Sequence, residues 1–196
     1  MNISIILAHP DPDSFNHAIA GTCRDVIEGK GHSVFFHDLY AEAFDPVLPP
    51  EELSDHSPGE DISGLCTEIQ HSDGIIIVHP NWWGMPPAIL KGWIDRVLRP
   101  EVAYRFLEGD KGEGVPEGLL KAKSVIIFNT SNTSAEREDH VFGDPLENLW
   151  KTCIFALCGV KSFYRKMFRT IVTSTPEQRK QWLKEAADIV SDMYTE

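Results

Sequence analysis

Short apolar runs separated by longer amphipathic stretches set the plan of this chain. Ile3–Ala8, Ser33–His37, Gly74–Val78 and Ser124–Phe128 are rich in β-branched and aromatic residues and are flanked by turn-forming residues. Runs this short predict buried strands rather than helices. Ser162–Val172 can supply a fifth strand. Between these runs, apolar positions recur at helical spacing. Phe15, Ile19, Cys23, Val26 and Ile27 share one face, with Asp13 or Ser14 available as N-cap and Gly29 and Gly31 as terminators. Further helices are expected near Ile62–His71, over Pro86–Leu98, over Leu146–Leu157, and from the capping box Thr175-Pro-Glu-Gln178 to about Met193.

Strands alternating with helices, without an internal repeat or a linker, predict one α/β domain over residues 1–196. Its architecture is a three-layer sandwich around a five-stranded parallel sheet, joined by right-handed crossovers. Two connections are long. Residues 39–61 are Pro-rich and acidic, and residues 99–123 are rich in Gly and acidic residues. Loops of that length are often functional or packed on a partner.

Ligands of open parallel sheets collect at the carboxyl ends of the strands, so three loops there are candidates. His9-Pro-Asp-Pro-Asp-Ser-Phe-Asn16 joins the first strand to the first helix. Free N–H groups and the helix dipole make such a start a phosphate cradle. Ser14 and Asn16 add donors, and His9 can bond or pair with a phosphate. The alternative is that Ser14 only caps the helix. The loop is neither G-x-G-x-x-G nor a P-loop. The third strand empties into Asn81-Trp82-Trp83-Gly84 before the Pro86-Pro87 pair. Adjacent residues cannot share one face, so Trp82 and Trp83 cannot both be core, and they form a platform for a flat ligand. Trp93, inside the following helix, reads as core. The fourth strand ends in the polar string Asn129–Ser134, whose hydroxyls and amides suit the edge of a heterocycle. In a sheet of order 2-1-3-4-5 these three strand ends converge, which favours a flavin-sized ligand.

Composition narrows the partners. The chain has 196 residues, is 42% hydrophobic and 24% charged, and carries a formal charge of -12. That charge disfavours nonspecific binding to nucleic acid or anionic membranes. Cys23, Cys66, Cys153 and Cys158 include no C-x-x-C and read as small buried hydrophobes. The histidines show no metal-ligand spacing, so no metal site is expected. Met1–Ala8 has no basic n-region and is far too short to span a bilayer. The expectation is a reduced, cytoplasmic protein without membrane insertion.

Several motifs carry a family resemblance. They are Ala8-His9 with Ser14-Phe15-Asn16, Asp38-Leu-Tyr-Ala41 with Phe44-Asp-Pro46, and Pro80-x-x-Trp83 with Pro87-Ala-Ile-Leu-Lys-Gly-Trp93 and Arg96-Val97. Ala103-Tyr104 and Cys158-Gly159 add to them. Over most of its length the chain resembles the NAD(P)H:quinone oxidoreductase family of flavodoxin-like enzymes. The resemblance implies a flavodoxin-like fold and a tightly held flavin, FAD with FMN as the alternative. It also implies NAD(P)H as co-substrate, ping-pong transfer to a quinone or similar small acceptor, and a homodimer with the active site at the subunit interface. By matching motif, His9, Ser14, Phe15, Asn16 and Ala18 would hold the phosphates. Pro80, Asn81, Trp82, Trp83 and Gly84 would line the isoalloxazine. Thr130, Ser131 and Asn132 would meet its polar edge, and Tyr104 and Phe106 would cover the neighbouring substrate pocket.

Two departures stand out. The family's Thr-Thr-Gly-Gly loop, followed by a Tyr and a His, is here Asn129-Thr-Ser-Asn132. Alignment on Gly143-Asp144 places Glu136 and Phe142 at the Tyr and His positions. Neither can neutralise charge as that pair does, so Arg137 or His140 is expected to supply the donor. Gly84 stands where the family often has a bulky aromatic, which should open one wall of the pocket. Alternative functions are an azo, nitro or flavin reductase, or a regulatory flavoprotein subunit of a membrane transporter, with 39–61 and 99–123 as its interface.

Overall fold

A computed structural model describes every residue of the chain except 55–56, 108, 110–113 and 196. Strand β1 (Asn2–Leu7) leads to α1 (Phe15–Gly29), then β2 (Ser33–Asp38). A short α2 (Pro50–Ser54) and α3 (Glu60–His71) precede β3 (Gly74–Pro80) and α4 (Ala88–Val97). Next come two-residue strands β4 (Tyr104–Arg105) and β5 (Glu117–Gly118), then β6 (Ser124–Ser131). The chain ends with α5 (Ala135–His140), α6 (Pro145–Asn148), a π-helical segment Leu149–Ala156, β7 (Ser162–Arg169), a 3-10 turn Ile171–Thr173 and α7 (Pro176–Met193).

The sheet order is β2-β1-β3-β6-β7, all parallel, which is the order expected from the sequence. β3 and β6 are buried along their whole lengths, as continuous apolar runs in a central parallel sheet should be. α1 and α7 cover one face through Phe15, Ile19, Cys23, Ile27, Ala186 and Val190. α3, α4 and the π-helical segment cover the other through Ile62, Ile69, Leu90, Trp93, Trp150 and Phe155. Gly74 has a packing reason: a Cβ there would lie 2.2 Å from Tyr194 Cε1, where the end of the chain crosses β3.

Several expectations were adjusted by the structure. Ser14 rather than Asp13 caps α1, its Oγ accepting from the His17 N–H. α4 begins at Ala88 with Pro87 as N-cap. Ser162–Val172 divides, because the chain turns after Arg169 into the 3-10 element. The helix expected over Leu146–Leu157 is α6 followed by wider π-helical winding, a form common at functional sites. Cys23, Cys66 and Cys158 are buried, but Cys153 is exposed. The antiparallel β4–β5 ladder, α2 and α5 were not anticipated; each is too short to show a hydrophobic period.

The acidic connection 39–61 is tied to its own chain. Glu52 accepts from Arg96 at 2.6 Å and from Arg99 at 2.7 Å, and the Asp45 carbonyl also accepts from Arg96. A Cβ on Gly92 would meet Pro46 at 2.3 Å, so this segment lies directly on α4. That leaves it less free as a partner surface than the sequence suggested. The centre of the 99–123 connection lies outside the described residues.

Candidate active site

The three loops predicted to converge do so. A cavity of about 380 Å³ lies beyond the ends of β1, β3 and β6, lined by His9, Asp11, Ser14, Asn16, Asn81, Trp82, Thr130, Ser131 and Asn132, among others. A second, of about 680 Å³, adjoins it through shared Asn81 and Thr133 and is bounded by Trp83, Gly84, Arg137, Glu138, Phe142 and Pro145. A third, of about 380 Å³, continues from Asp13, Ser14 and Phe15 along α7 to Arg179, Lys180 and Leu183. Together they make one groove across the carboxyl edge of the sheet. Ala18 lines only the α7 end of it.

The helix start works differently from the sequence expectation. His17 Nε2 lies 2.9 Å from Asp38 Oδ2 and its Nδ1 lies 2.9 Å from Ser14 Oγ. The carboxylate takes the Nε2–H, so the Ser14 hydroxyl gives its proton to Nδ1 and has none to offer an anion. Asn16 is likewise engaged, its Nδ2 donating to Thr130 Oγ1 at 2.9 Å. The donors left for an anion are the first-turn N–H groups of Phe15 and Asn16, which have no intrahelical partner. The Phe15 ring itself packs on Phe168 and Trp182 in the core. Burial lowers the His9 pKa below its ordinary value; the Asp11 carbonyl opposes this and the His17 ring adds to it. His9 is therefore a neutral ring at pH 7.

The cation in this part of the groove is Arg179, which the sequence reading missed. Its Nε donates to Ser174 Oγ at 2.8 Å and its Nη2 to the Ile171 carbonyl at 3.1 Å. These bonds hold the guanidinium over the Phe15 ring, with donors to spare. Nothing local marks it, because it reaches the site from α7, which is distant in sequence from α1. Asp11 and Asp13 stand in the same cavity and oppose an anion.

The tryptophan loop is a tight turn. Trp82 N and Met85 N each donate to the other residue's carbonyl, and Trp83 and Gly84 have φ of 58° and 73°. Asn81 Oδ1 accepts from the Gly84 N–H at 3.0 Å and fixes that turn. Trp82 faces the first cavity, 6.0 Å from the His9 ring, and Trp83 faces the second and is fully exposed. The two residues thus serve different walls, as their adjacency requires. Gly84 does not leave an open wall: a Cβ there would lie 2.7 Å from Pro145 Cγ. Trp93 is core.

Beneath this turn runs a buried polar chain. His79 Nδ1–H donates to the Pro80 carbonyl at 2.8 Å. Its Nε2 accepts from Trp150 Nε1 at 3.0 Å and from Asn129 Nδ2 at 2.9 Å. Asn129 Oδ1 accepts from Arg165, which also pairs with Glu147 at 2.9 Å and with Asp144. Burial drives the His79 pKa down to about 4, so the ring stays neutral and one tautomer is fixed by its partners.

Thr130 and Ser131 are the buried last residues of β6, and Asn132, just beyond it, is exposed and accepts from the Val172 N–H. Arg137 reaches the second cavity with its guanidinium 5.3 Å from the Phe142 ring centroid. His140 and Glu136 are exposed and line neither of the two cavities. The inward residue of α5 is Glu138, 2% exposed, which the sequence reading passed over. A six-residue, almost wholly charged helix has no apolar stripe to show which side faces in. Tyr104 and Phe106 lie apart, in a cavity of about 440 Å³ with Ile94, Cys153 and Leu157. Within one chain they do not meet the groove.

Comparison with known proteins gives the family of the chain. The family described as having a flavodoxin-like fold matches residues 1–192. An NAD(P)H oxidoreductase of Haemophilus influenzae is 36% identical over 192 residues, spanning 95% of this chain and 93% of its own. The ribosyldihydronicotinamide dehydrogenase (quinone) of Mus musculus is 27% identical over 99% of this chain and 92% of its own. The crystal structure of Smu.1420 from Streptococcus mutans superposes with a TM-score of 0.85 at 30% identity, covering 98% of this chain and all of that one.

Proposed function

The chain belongs to the flavodoxin-like NAD(P)H oxidoreductases, and from that premise we propose that it passes two electrons from NAD(P)H through a bound flavin to a quinone or similar small acceptor. The observation that carries this is the continuous groove joining the start of α1, the Trp82–Gly84 turn and the loop after β6. Its donor set suits a flavin: free N–H groups and a cation at one end, an aromatic turn in the middle, and small polar residues beside it. When bound, flavin supplies the hydride chemistry that no protein side chain offers.

The chain's own residues orient and enclose. The Phe15 and Asn16 N–H groups and Arg179 would take phosphate oxygens. His9 would add a neutral ring donor. Pro80, Asn81, Trp82, Trp83 and Gly84 would line the isoalloxazine, and Thr130, Ser131 and Asn132 would meet its edge. The extension of the groove beyond Arg179 to Lys180 and Leu183 favours FAD over FMN, because FMN ends at its single phosphate. Arg137, of the two donors expected in its loop, has the position to offset negative charge. A second copy of the chain would cover the exposed Trp83, Phe106, Leu107 and Phe142 and bring Tyr104 and Phe106 to the other subunit's groove. Among the described residues no helix is long and apolar enough to cross a membrane.

The test is the absorbance spectrum of the purified protein, the mass of its released cofactor, and NAD(P)H oxidation with quinone, azo, nitroaromatic and free-flavin acceptors. A yellow protein releasing FAD and turning over quinones fastest is the expected result. A colourless protein that takes up no added flavin would overturn the reading.

A further inference from the structure

Glu138 is a buried carboxylate with half its bonding capacity unused. Its Oε1 accepts from Asn81 Nδ2 at 2.8 Å and from Ser131 Oγ at 3.0 Å. Its Oε2 is buried and has no hydrogen-bond partner among the described residues. None of the described ion pairs includes Glu138, and the nearby Arg137 guanidinium lies over Phe142 instead. The residue forms part of the wall of the second cavity, together with Gly84 and Pro145. A buried acceptor left without a donor is disfavoured, and such groups in native proteins generally have a use. The two donors on Oε1 come from the ends of β3 and β6, so they also fix which oxygen is left over.

We propose that Glu138 is a specificity-determining residue of the second cavity, its free Oε2 accepting a hydrogen bond from an O–H or N–H group on the small planar electron acceptor. This rests on the functional reading above and adds the acceptor's chemical class: a quinone-like ring bearing a hydrogen-bond donor, in preference to one bearing carbonyls alone. A plain quinone brings only further acceptors to this wall, and two acceptors without a proton between them repel. A site with a placed polar group rejects the analogue that leaves it unpaired.

Two naphthoquinones differing by one hydroxyl test it: 2-methyl-1,4-naphthoquinone and 2-(hydroxymethyl)-1,4-naphthoquinone, titrated against the flavin-loaded oxidised protein. Wild type should bind the hydroxymethyl compound about tenfold more tightly, the scale of one hydrogen bond to a charged group. Glu138→Gln inverts the polarity of the atom left without a partner. Asn81 and Ser131 hold the amide oxygen at the Oε1 position, so the NH2 takes the Oε2 position and offers a donor. The preference should vanish or reverse in this variant, with the change in KM and little in kcat. A purely structural Glu138 would leave the ratio of the two affinities unchanged. If Glu138→Gln fails to retain flavin, the wild-type pair of dissociation constants decides: equal affinities overturn the proposal. A protein that holds flavin and reduces both quinones with equal KM overturns this inference and leaves the oxidoreductase reading intact. A colourless protein that reduces neither overturns both.

Discussion

Glu52 and Glu138 are both carboxylates sunk into the protein, 5% and 2% exposed, and they are bonded in opposite ways. Glu52, beneath α4, has a guanidinium on each oxygen, and Arg99 also binds its backbone carbonyl at 2.8 Å. Burial pushes the Glu52 carboxyl up, but the bonds and charges of Arg96 and Arg99 outweigh it and hold the pKa below the ordinary value. Glu138, at the cavity wall, has two neutral donors on one oxygen and none on the other. A charge that is fully paired at burial belongs to the scaffold: it fastens the acidic connection to α4. A charge left half-paired beside a cavity is available to something that is not part of the chain. Burial alone does not separate the two; the bonds each carboxylate leaves unmade do.

The sharpest way to break this comparison is to make the same substitution at both places. Glu52→Gln removes the charge between two arginines and turns an amide N–H toward one of them. Removing one partner of a buried ion pair costs about 3–5 kcal/mol. In a chain of this size that is a fall in Tm of roughly 10 °C, read by thermal or urea unfolding of the flavin-free protein. A change under about 1 kcal/mol would mean that water reaches the cluster and that Glu52 is a surface pair.

His79 sharpens it from the site side, since it is buried in the same half as Glu138 yet fully bonded. Its pKa is held at about 4 against an ordinary 6.5. The sign follows from which state takes the proton. Below pH 6.5 the unfolded chain protonates this ring and the native one does not, so stability falls as pH drops and levels off below about 4. The full effect is roughly 3 kcal/mol. His79→Gln should be less stable than wild type at pH 7.5, and the gap should narrow by pH 4.5 in matched denaturation curves. A gap that stays constant would mean that His79 is not held neutral.

The sequence made most of the fold legible, and the reason is visible in β3 and β6. Strands buried on both faces must be continuous apolar runs, so Gly74–Val78 and Ser124–Phe128 announced themselves, and the order 2-1-3-4-5 came from the flavodoxin-like resemblance. The three convergent loops were legible because each follows such a strand, β1, β3 or β6. The residues that decide the site's electrostatics were not. Arg179 comes from a distant helix, Glu138 from a helix too short and too charged to show an inward face. His9 and Ser14 were found, but their states were not: burial leaves His9 neutral, and Asp38 claims the Ser14 hydroxyl through His17. Such details depend on which partner reaches a donor first, and that is tertiary information. Gly84 makes the same point, since the space its missing side chain vacates is taken by Pro145, which no local pattern connects to it.

The smallest expected effect is the most exacting for the comparison. Glu138→Gln should change the stability of the flavin-free protein by less than about 1 kcal/mol, in either direction. Both bonds to Oε1 survive, because the amide oxygen accepts from Asn81 and Ser131 as the carboxylate did. What changes is the idle atom, from an unpaired charged acceptor to an unpaired neutral donor, and neither has a protein partner to lose. Urea unfolding of the variant beside Glu52→Gln, at the same pH and without flavin, gives the contrast directly. A loss at Glu138 as large as that at Glu52 would show that Oε2 is already engaged within the chain. The distinction between a saturated scaffold carboxylate and an idle site carboxylate would then fail at its root.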